Sequence, residues 1–135
     1  LDMIQLHGDE TINDIKAIKN MIKKPIIKAL PVSTYKDIKN SKKIEEVCDM
    51  LLFDTKTSEG ISGGTGLSFD WSLLKNIKLE KKWMLAGGLN INNVEDALSI
   101  TNAPVIDISS GVELEKGIKC EKKIKNLINH LKNEI

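Results

Sequence analysis

The sequence predicts an α/β protein with a parallel sheet, and three observations carry that prediction. Five short apolar runs alternate with helix-like stretches, a βαβα rhythm whose right-handed crossovers demand parallel strands. Polar residues and glycines with chemistry to offer stand just after several of those runs, at His7-Gly8, Asp54-Thr55-Lys56, Gly87-Gly88 and Asp107 to Gly111. Parallel α/β sheets collect their functional groups at such strand ends. The composition, 135 residues with 41% hydrophobic side chains, suits one domain spanning residues 1–135 with a real core.

The elements follow in order. The predicted strands are Met3 to Leu6, Ile26 to Leu30, Met50 to Asp54, Trp83 to Ala86 and Val105 to Ile108. A helix from about Thr11 to Lys23 places Ile12, Ile15, Ile18 and Ile22 on one face at three- and four-residue spacing, and Pro25 closes it. A second, roughly Thr34 to Val47, turns Ile38, Ile44 and Val47 inward and is lysine-rich outside. A short helix starts near Asp70 or Trp71. Asn90 or Asn92 is expected to cap the fourth, with Glu95 three residues after Asn92 as in a capping box. The last helix, about Glu121 to Lys132, is expected to bury Ile124, Leu127, Ile128 and Leu131. Thr55 to Ser68, with Gly60, Gly63, Gly64 and Gly66, reads as one long loop suited to a lid, or else a surface loop with no role.

Charge narrows the partners. Twenty basic against nineteen acidic side chains give a net of +1, with no basic stripe to track a nucleic-acid backbone. Every basic residue is lysine, so no bidentate guanidinium clamp is available. An anion must be held by backbone N–H groups, hydroxyls or lysine. Nothing resembles a signal peptide or a membrane span, which predicts a cytoplasmic protein that binds neither nucleic acid nor membrane. No metal site or cofactor is expected. The chain enters on an apolar strand at Leu1 and reads as the back part of something longer.

Two stretches point to the ligand. Trp83 to Asn90 and Val105 to Glu113 each end an apolar strand abruptly in glycine or small residues. Side by side, such ends expose N–H groups, and a helix N-terminus adds positive partial charge. That is a phosphate cradle, of the kind formed after the last two strands of eight-stranded α/β barrels. A phosphorylated small molecule is the predicted partner. Asp54, ending the run Met50-Leu51-Leu52-Phe53, is a candidate general acid in poorly solvated surroundings, or alternatively a capping or salt-bridged aspartate, with Lys56 as a partner. His7 is an acid, base or orienting donor, or simply structural. Asp107 lies within an apolar run and is expected to hydrogen-bond to a neighbouring loop. Cys48 and Cys120 read as packing residues; a thiol at Cys120, before the last helix, would feel its dipole.

Five segments together, Ile4 to Glu10, Leu51 to Lys56, Gly63 to Gly66 with Phe69-Asp70-Trp71, Leu85 to Asn90 and Asp107 to Glu113, resemble phosphoribosylanthranilate isomerase of tryptophan biosynthesis. The Asp54-Thr55-Lys56 and Gly63-to-Gly66 pair argues against other phosphate-binding barrels such as indole-glycerol-phosphate synthase or a sugar-phosphate epimerase. The resemblance implies a partial TIM (βα)8 barrel, its five parallel βα units corresponding to strands four to eight. It implies an aldose–ketose isomerase that performs an Amadori rearrangement without a cofactor. By resemblance Asp54 is the catalytic acid, Gly87, Gly88, Ser109, Ser110 and Gly111 bind the substrate phosphate, and His7 and Asp107 support the site. The family's base, a cysteine ending its first strand, and its anthranilate-facing arginine have no match here.

The resemblance therefore implies a truncated enzyme, largely inactive alone, since a missing base removes roughly 10²–10⁴-fold. The alternative is a non-catalytic, self-associating half-barrel that binds phosphate. Open strand edges, with Leu6, Leu52 and Leu85 taken as exposed barrel-interior residues, predict a homodimer or higher oligomer.

Overall fold

The computed structural model describes residues 1–55 and 70–133. β1 (Ile4–Leu6), β2 (Ile26–Pro31), β3 (Met50–Asp54), β4 (Trp83–Ala86) and β5 (Val105–Ile106) form one parallel sheet in sequence order. α1 (Ile12–Ile22), α2 (Tyr35–Glu45) and α3 (Val94–Thr101) connect strands, with a 3-10 turn at Trp71–Leu74 before β4. A short antiparallel hairpin, β6 (Glu113–Glu115) and β7 (Ile118–Lys119), precedes α4 (Glu121–Asn133). Sequence periodicity missed this hairpin because its strands are two or three residues long and mostly exposed. Of the expected loop from Thr55 to Ser68, only Thr55 is among the described residues; residues 56–68 lie outside them, as does Phe69.

Local chemistry starts the helices. Thr11 and Asp14 form a reciprocal capping box at α1: Asp14 N–H donates to Thr11 Oγ1 at 3.2 Å and Thr11 N–H to Asp14 Oδ2 at 2.8 Å. Before α2, Asp37 accepts from the N–H groups of Ser33 and Thr34 at 3.0 and 2.8 Å. Asp70 Oδ1 accepts from Ser72 N–H at 3.0 Å to set the 3-10 turn. α3 corrects an expectation. Its helix begins at Val94 after Asn93, and Glu95 pairs with His130 on α4 at 2.5 Å instead of closing a capping box.

Strand alternation divides the sheet's two faces. Leu51, Phe53, Trp83 and Leu85 share a core with Ile15, Ile38 and Ala97 of the helices, and Phe53 and Trp83 meet edge to face at 5.5 Å. Leu6 packs against the same core. The opposite face carries Ile27, Ala29, Leu52 and Ala86. The expectation that Leu6, Leu52 and Leu85 are exposed barrel-interior residues is thus corrected. Leu6 and Leu85 sit one pleat position away, on the helix side, and Leu52 on the other face is only 1% exposed.

Two helix faces are narrower than their periodicity suggests. Ile22 ends α1 at 41% exposure and Ile128 of α4 stands at 45%, while Ile15 and Leu127 are buried. Among the described residues α4 packs on α3, the end of β5 and the turn at 110–112, through Val94, Leu98, Ile106 and Val112. Within the sheet, β1 and β5 are the edge strands.

Candidate phosphate and acid site

The carboxyl ends of β1, β3, β4 and β5 open on one cavity of about 760 Å³, lined by His7, Asp54, Gly87, Gly88, Asp107, Ser109 and Ser110 among others. Seven of the eight sequence-predicted site residues therefore meet there. Asp54 ends β3, its side chain keeping 24% of its exposure, with Oδ2 3.7 Å from His7 Nε2. The carboxyl is thus half-buried at the cavity's floor, less dry than the apolar run before it suggests. The His7 ring is 63% exposed, and Gln5 Nε2 lies 3.4 Å from its Nδ1. A donor at Nδ1 leaves the ring proton on Nε2, the nitrogen that faces Asp54.

The eighth residue, Gly111, explains how two loops meet. A Cβ there would stand 2.1 Å from the carbonyl oxygen of Leu89 and 2.9 Å from Asn90 Cα. Only glycine lets the β5 turn lie directly on the β4 turn. Gly87 and Gly88 have φ of 100° and 66°, the left-handed region that glycine enters without cost to a side chain. Asparagines lock this bend: Asn93 Nδ2 donates to Gly88 O at 3.0 Å, and Asn93 Oδ1 accepts from Asn90 N–H at 2.8 Å. From the other side Thr55, 3% exposed, donates its hydroxyl to Ala86 O at 2.8 Å. The N–H groups of Gly87, Gly88, Ser109 and Ser110 donate to no protein acceptor among the described residues. Such a concave run of N–H groups suits an anion.

Two lysines that sequence reasoning passed over organise the rims. Lys28, 2% exposed on β2, donates to Gly8 O at 2.6 Å and to Glu10 Oε2 at 2.7 Å. The Glu10 carboxylate in turn accepts from Gly8 N–H at 3.1 and 3.2 Å. Lys28 holds the Glu10 carboxyl below its ordinary range, and the backbone next to His7 is pinned at both its N–H and its carbonyl. The signal was present: a lysine inside the run Ile26 to Leu30 must be buried with a partner. At the other rim Lys119 reaches Ser109 and Glu113.

Asp107 corrects the hydrogen-bond expectation. Its N–H donates to Leu85 O at 2.8 Å, but the residue is exposed on the cavity wall, and its side chain has no protein partner among the described residues. β5 ends at Ile106, so Asp107 lies beyond the strand, in reach of water. Cys48 is fully buried at the opposite end of β3, and burial pushes its thiol up, away from the reactive thiolate. Cys120 is part-buried just before α4 and does not line the cavity. Among the described residues no group of three metal-ligating side chains converges, and no helix is long and apolar enough to cross a membrane.

Residues 1–130 match the family model of N-(5'-phosphoribosyl)anthranilate isomerase. The chain belongs to the phosphoribosylanthranilate isomerase family. Curated isomerases from Beijerinckia indica and Rhizobium johnstonii are 43% and 44% identical over 87% and 91% of this chain. The solved isomerase of Thermotoga maritima superposes with a TM-score of 0.81 at 36% identity, covering 98% of this chain and 62% of that one. A second solved isomerase, in complex with reduced 1-(o-carboxyphenylamino)-1-deoxyribulose 5-phosphate, gives a TM-score of 0.75 at 31% identity. The chain spans about half the length of the curated isomerases, 54% and 56% of the two named. The fold is that of these isomerases, with five of the strands in one sheet.

Proposed function

We propose that this chain supplies the phosphate-binding and general-acid part of phosphoribosylanthranilate isomerisation, and that it turns over little by itself. The observation that carries the reading is the shared cavity. Asp54 opens on the same space as the Gly87-Gly88 and Ser109-Ser110 turns, so a sugar phosphate anchored at the turns can bring its ring toward the carboxyl. The Thermotoga maritima superposition and the complex with a phosphorylated product analogue support that class of ligand.

In the proposed reaction Asp54 gives a proton to the ring oxygen of the aminoaldose as the C–O bond breaks. The anthranilate nitrogen's lone pair forms the resulting iminium. A base then removes the proton from the neighbouring carbon, and the electrons move to neutralise the iminium, giving the enol that becomes the ketose. His7 orients Asp54 through its Nε2, and Asp107 borders the pocket in a supporting role. The cavity holds no cysteine among the described residues, and the chain has no arginine. The resemblance makes the base a cysteine at the end of a strand that has no match in this sequence, and our reading is that a separate polypeptide segment supplies it. Without one, proton abstraction loses roughly 10²–10⁴-fold.

The test is the fluorescence decay of phosphoribosylanthranilate with the purified chain, against buffer. The expected result is no turnover above buffer, with activity appearing on addition of a polypeptide carrying the cysteine-bearing strand and the arginine. Turnover by the chain alone would overturn the assignment of the base. We further propose that the chain self-associates along the β1 and β5 edges, whose backbone groups are open on one side. Light scattering at micromolar concentration should then show a dimer or larger species, and a monomer would refute it.

A further inference from the structure

The β5 turn is held from behind by a lysine. Lys119 Nζ donates to the carbonyl oxygen of Ser109 at 3.1 Å, to Ser109 Oγ at 2.9 Å and to Glu113 Oε1 at 2.5 Å. An ammonium has three N–H donors and no acceptor. Three acceptors use all three, so Lys119 has no N–H left for a bound anion. Ser109 Oγ must accept from Lys119, and its single hydroxyl hydrogen is turned elsewhere. Among the described residues that hydrogen has no protein acceptor, and Ser109 lines the cavity beside Ser110, Gly87 and Gly88.

We propose that Lys119 is a positioning residue for phosphate: it fixes the Ser109 hydroxyl as a donor toward a phosphoryl group held between the two turns, without touching the anion. This deepens the proposed phosphate reading and rests on it. Glu113 makes the arrangement compatible with an anion nearby, because its carboxylate balances the ammonium locally. Lys119 is the largest influence holding that carboxyl below its ordinary range, so it stays ionised at neutral pH. Lys123 of α4 donates to the Glu113 carbonyl at 2.5 Å and fixes the hairpin that carries the pair. Lys119 thus acts through geometry, its own charge matched by the Glu113 carboxylate.

The charge-balanced substitution Glu113→Gln with Lys119→Met separates geometry from charge, since the formal net charge is unchanged. Inorganic phosphate is titrated into the chain while the amide signals of Gly87, Gly88, Ser109, Ser110 and Gly111 are followed by NMR. The expected result is saturable binding by the wild type and about fivefold weaker binding by the doubly substituted chain, the size of one softened hydrogen bond to an anion. In a Ser109→Ala background, itself weakened by a similar factor, the double substitution should cost nothing more. An equal loss in that background, or no loss in either, overturns the assignment to Lys119 while leaving the phosphate reading standing. No saturable shift in the wild type overturns the phosphate reading and this role with it. The Ser109 Hα–Hβ couplings give a readout without phosphate: one rotamer in the wild type and averaging in the variant are expected, and unchanged couplings overturn the clamp. The milder pair Glu113→Gln with Lys119→Gln serves the same comparison if the methionine variant loses its amide dispersion.

Discussion

Gly111→Ala tests most directly whether the two strand-end turns form one structure. The new Cβ would stand 2.1 Å from Leu89 O and 2.9 Å from both Asn90 Cα and Cβ. Real Cβ contacts do not fall below 3.0 Å, so the turns must separate by about 0.9 Å, and the atoms in the way are chiefly backbone. Leu89 is 2% exposed and cannot swing aside. Overpacking of this kind costs about 1–3 kcal/mol. Loosening one of the Asn93 hydrogen bonds that lock the Gly88 bend adds about 1 kcal/mol.

A total of about 3 kcal/mol lowers Tm by roughly 10 °C for a chain of this size. A displacement of about 1 Å also takes the N–H groups out of reach of one phosphate, so phosphate affinity should fall by about tenfold or more. Gly117→Ala is the control: at φ 85° with nothing within 4 Å of its Cβ, it carries only left-handed strain, about 1–2 kcal/mol. Urea and thermal melts of both variants, with a phosphate titration of each, make the comparison. If Gly111→Ala melts no lower than Gly117→Ala and binds phosphate like wild type, the two turns do not bear on each other as described.

Asp54→Asn should leave phosphate affinity within about twofold and, in the chain complemented with a polypeptide carrying the proposed cysteine-bearing strand, cut turnover by roughly 10²–10⁴-fold; preserved turnover would remove Asp54 from the chemistry. Glu10→Gln should destabilise more than Lys28→Met, by about 3 against about 1 kcal/mol in urea melts. The first leaves a buried ammonium facing mainly a carbonyl, whereas the second leaves a carboxylate that water already reaches. Equal costs would argue against the clamp. Because Lys28 depresses the Glu10 carboxyl, the stability it adds is full above the ordinary value of 4.5 and is lost as pH falls through the lower folded value. Urea midpoints measured from pH 6 down to 3 should fall more steeply for wild type than for Glu10→Gln.

The sequence by itself determined the parallel α/β plan, four of the five strand starts and the cluster of strand ends that lines the candidate site. Apolar runs of this length, separated by helical periodicity, admit few other arrangements. The β3 and β4 boundaries fell as predicted, since Asp54 and Gly87 end those runs with residues a buried strand cannot continue. The cap of α3 did not. Three asparagines at 90, 92 and 93 are each competent to start a helix, and in the fold the side chains of Asn90 and Asn93 are spent on the Gly88 bend and on each other's turn, so local spacing does not choose among them.

Tertiary structure alone decided which face each strand residue serves. Leu6 and Leu85 are apolar on either reading, and the pleat relative to the helices, which composition does not carry, puts them with Ile15 and Ile38. It also decided the polar supports. Lys28 meets Gly8 and Glu10 across eighteen to twenty residues, and Lys119 meets Ser109 across ten. Neither partner is fixed by local spacing, because a long flexible ammonium finds its acceptors only once the backbone has brought them together. Gly111 is legible as a turn glycine, yet the reason no other residue fits, the carbonyl of Leu89 lying against it, exists only in the folded chain.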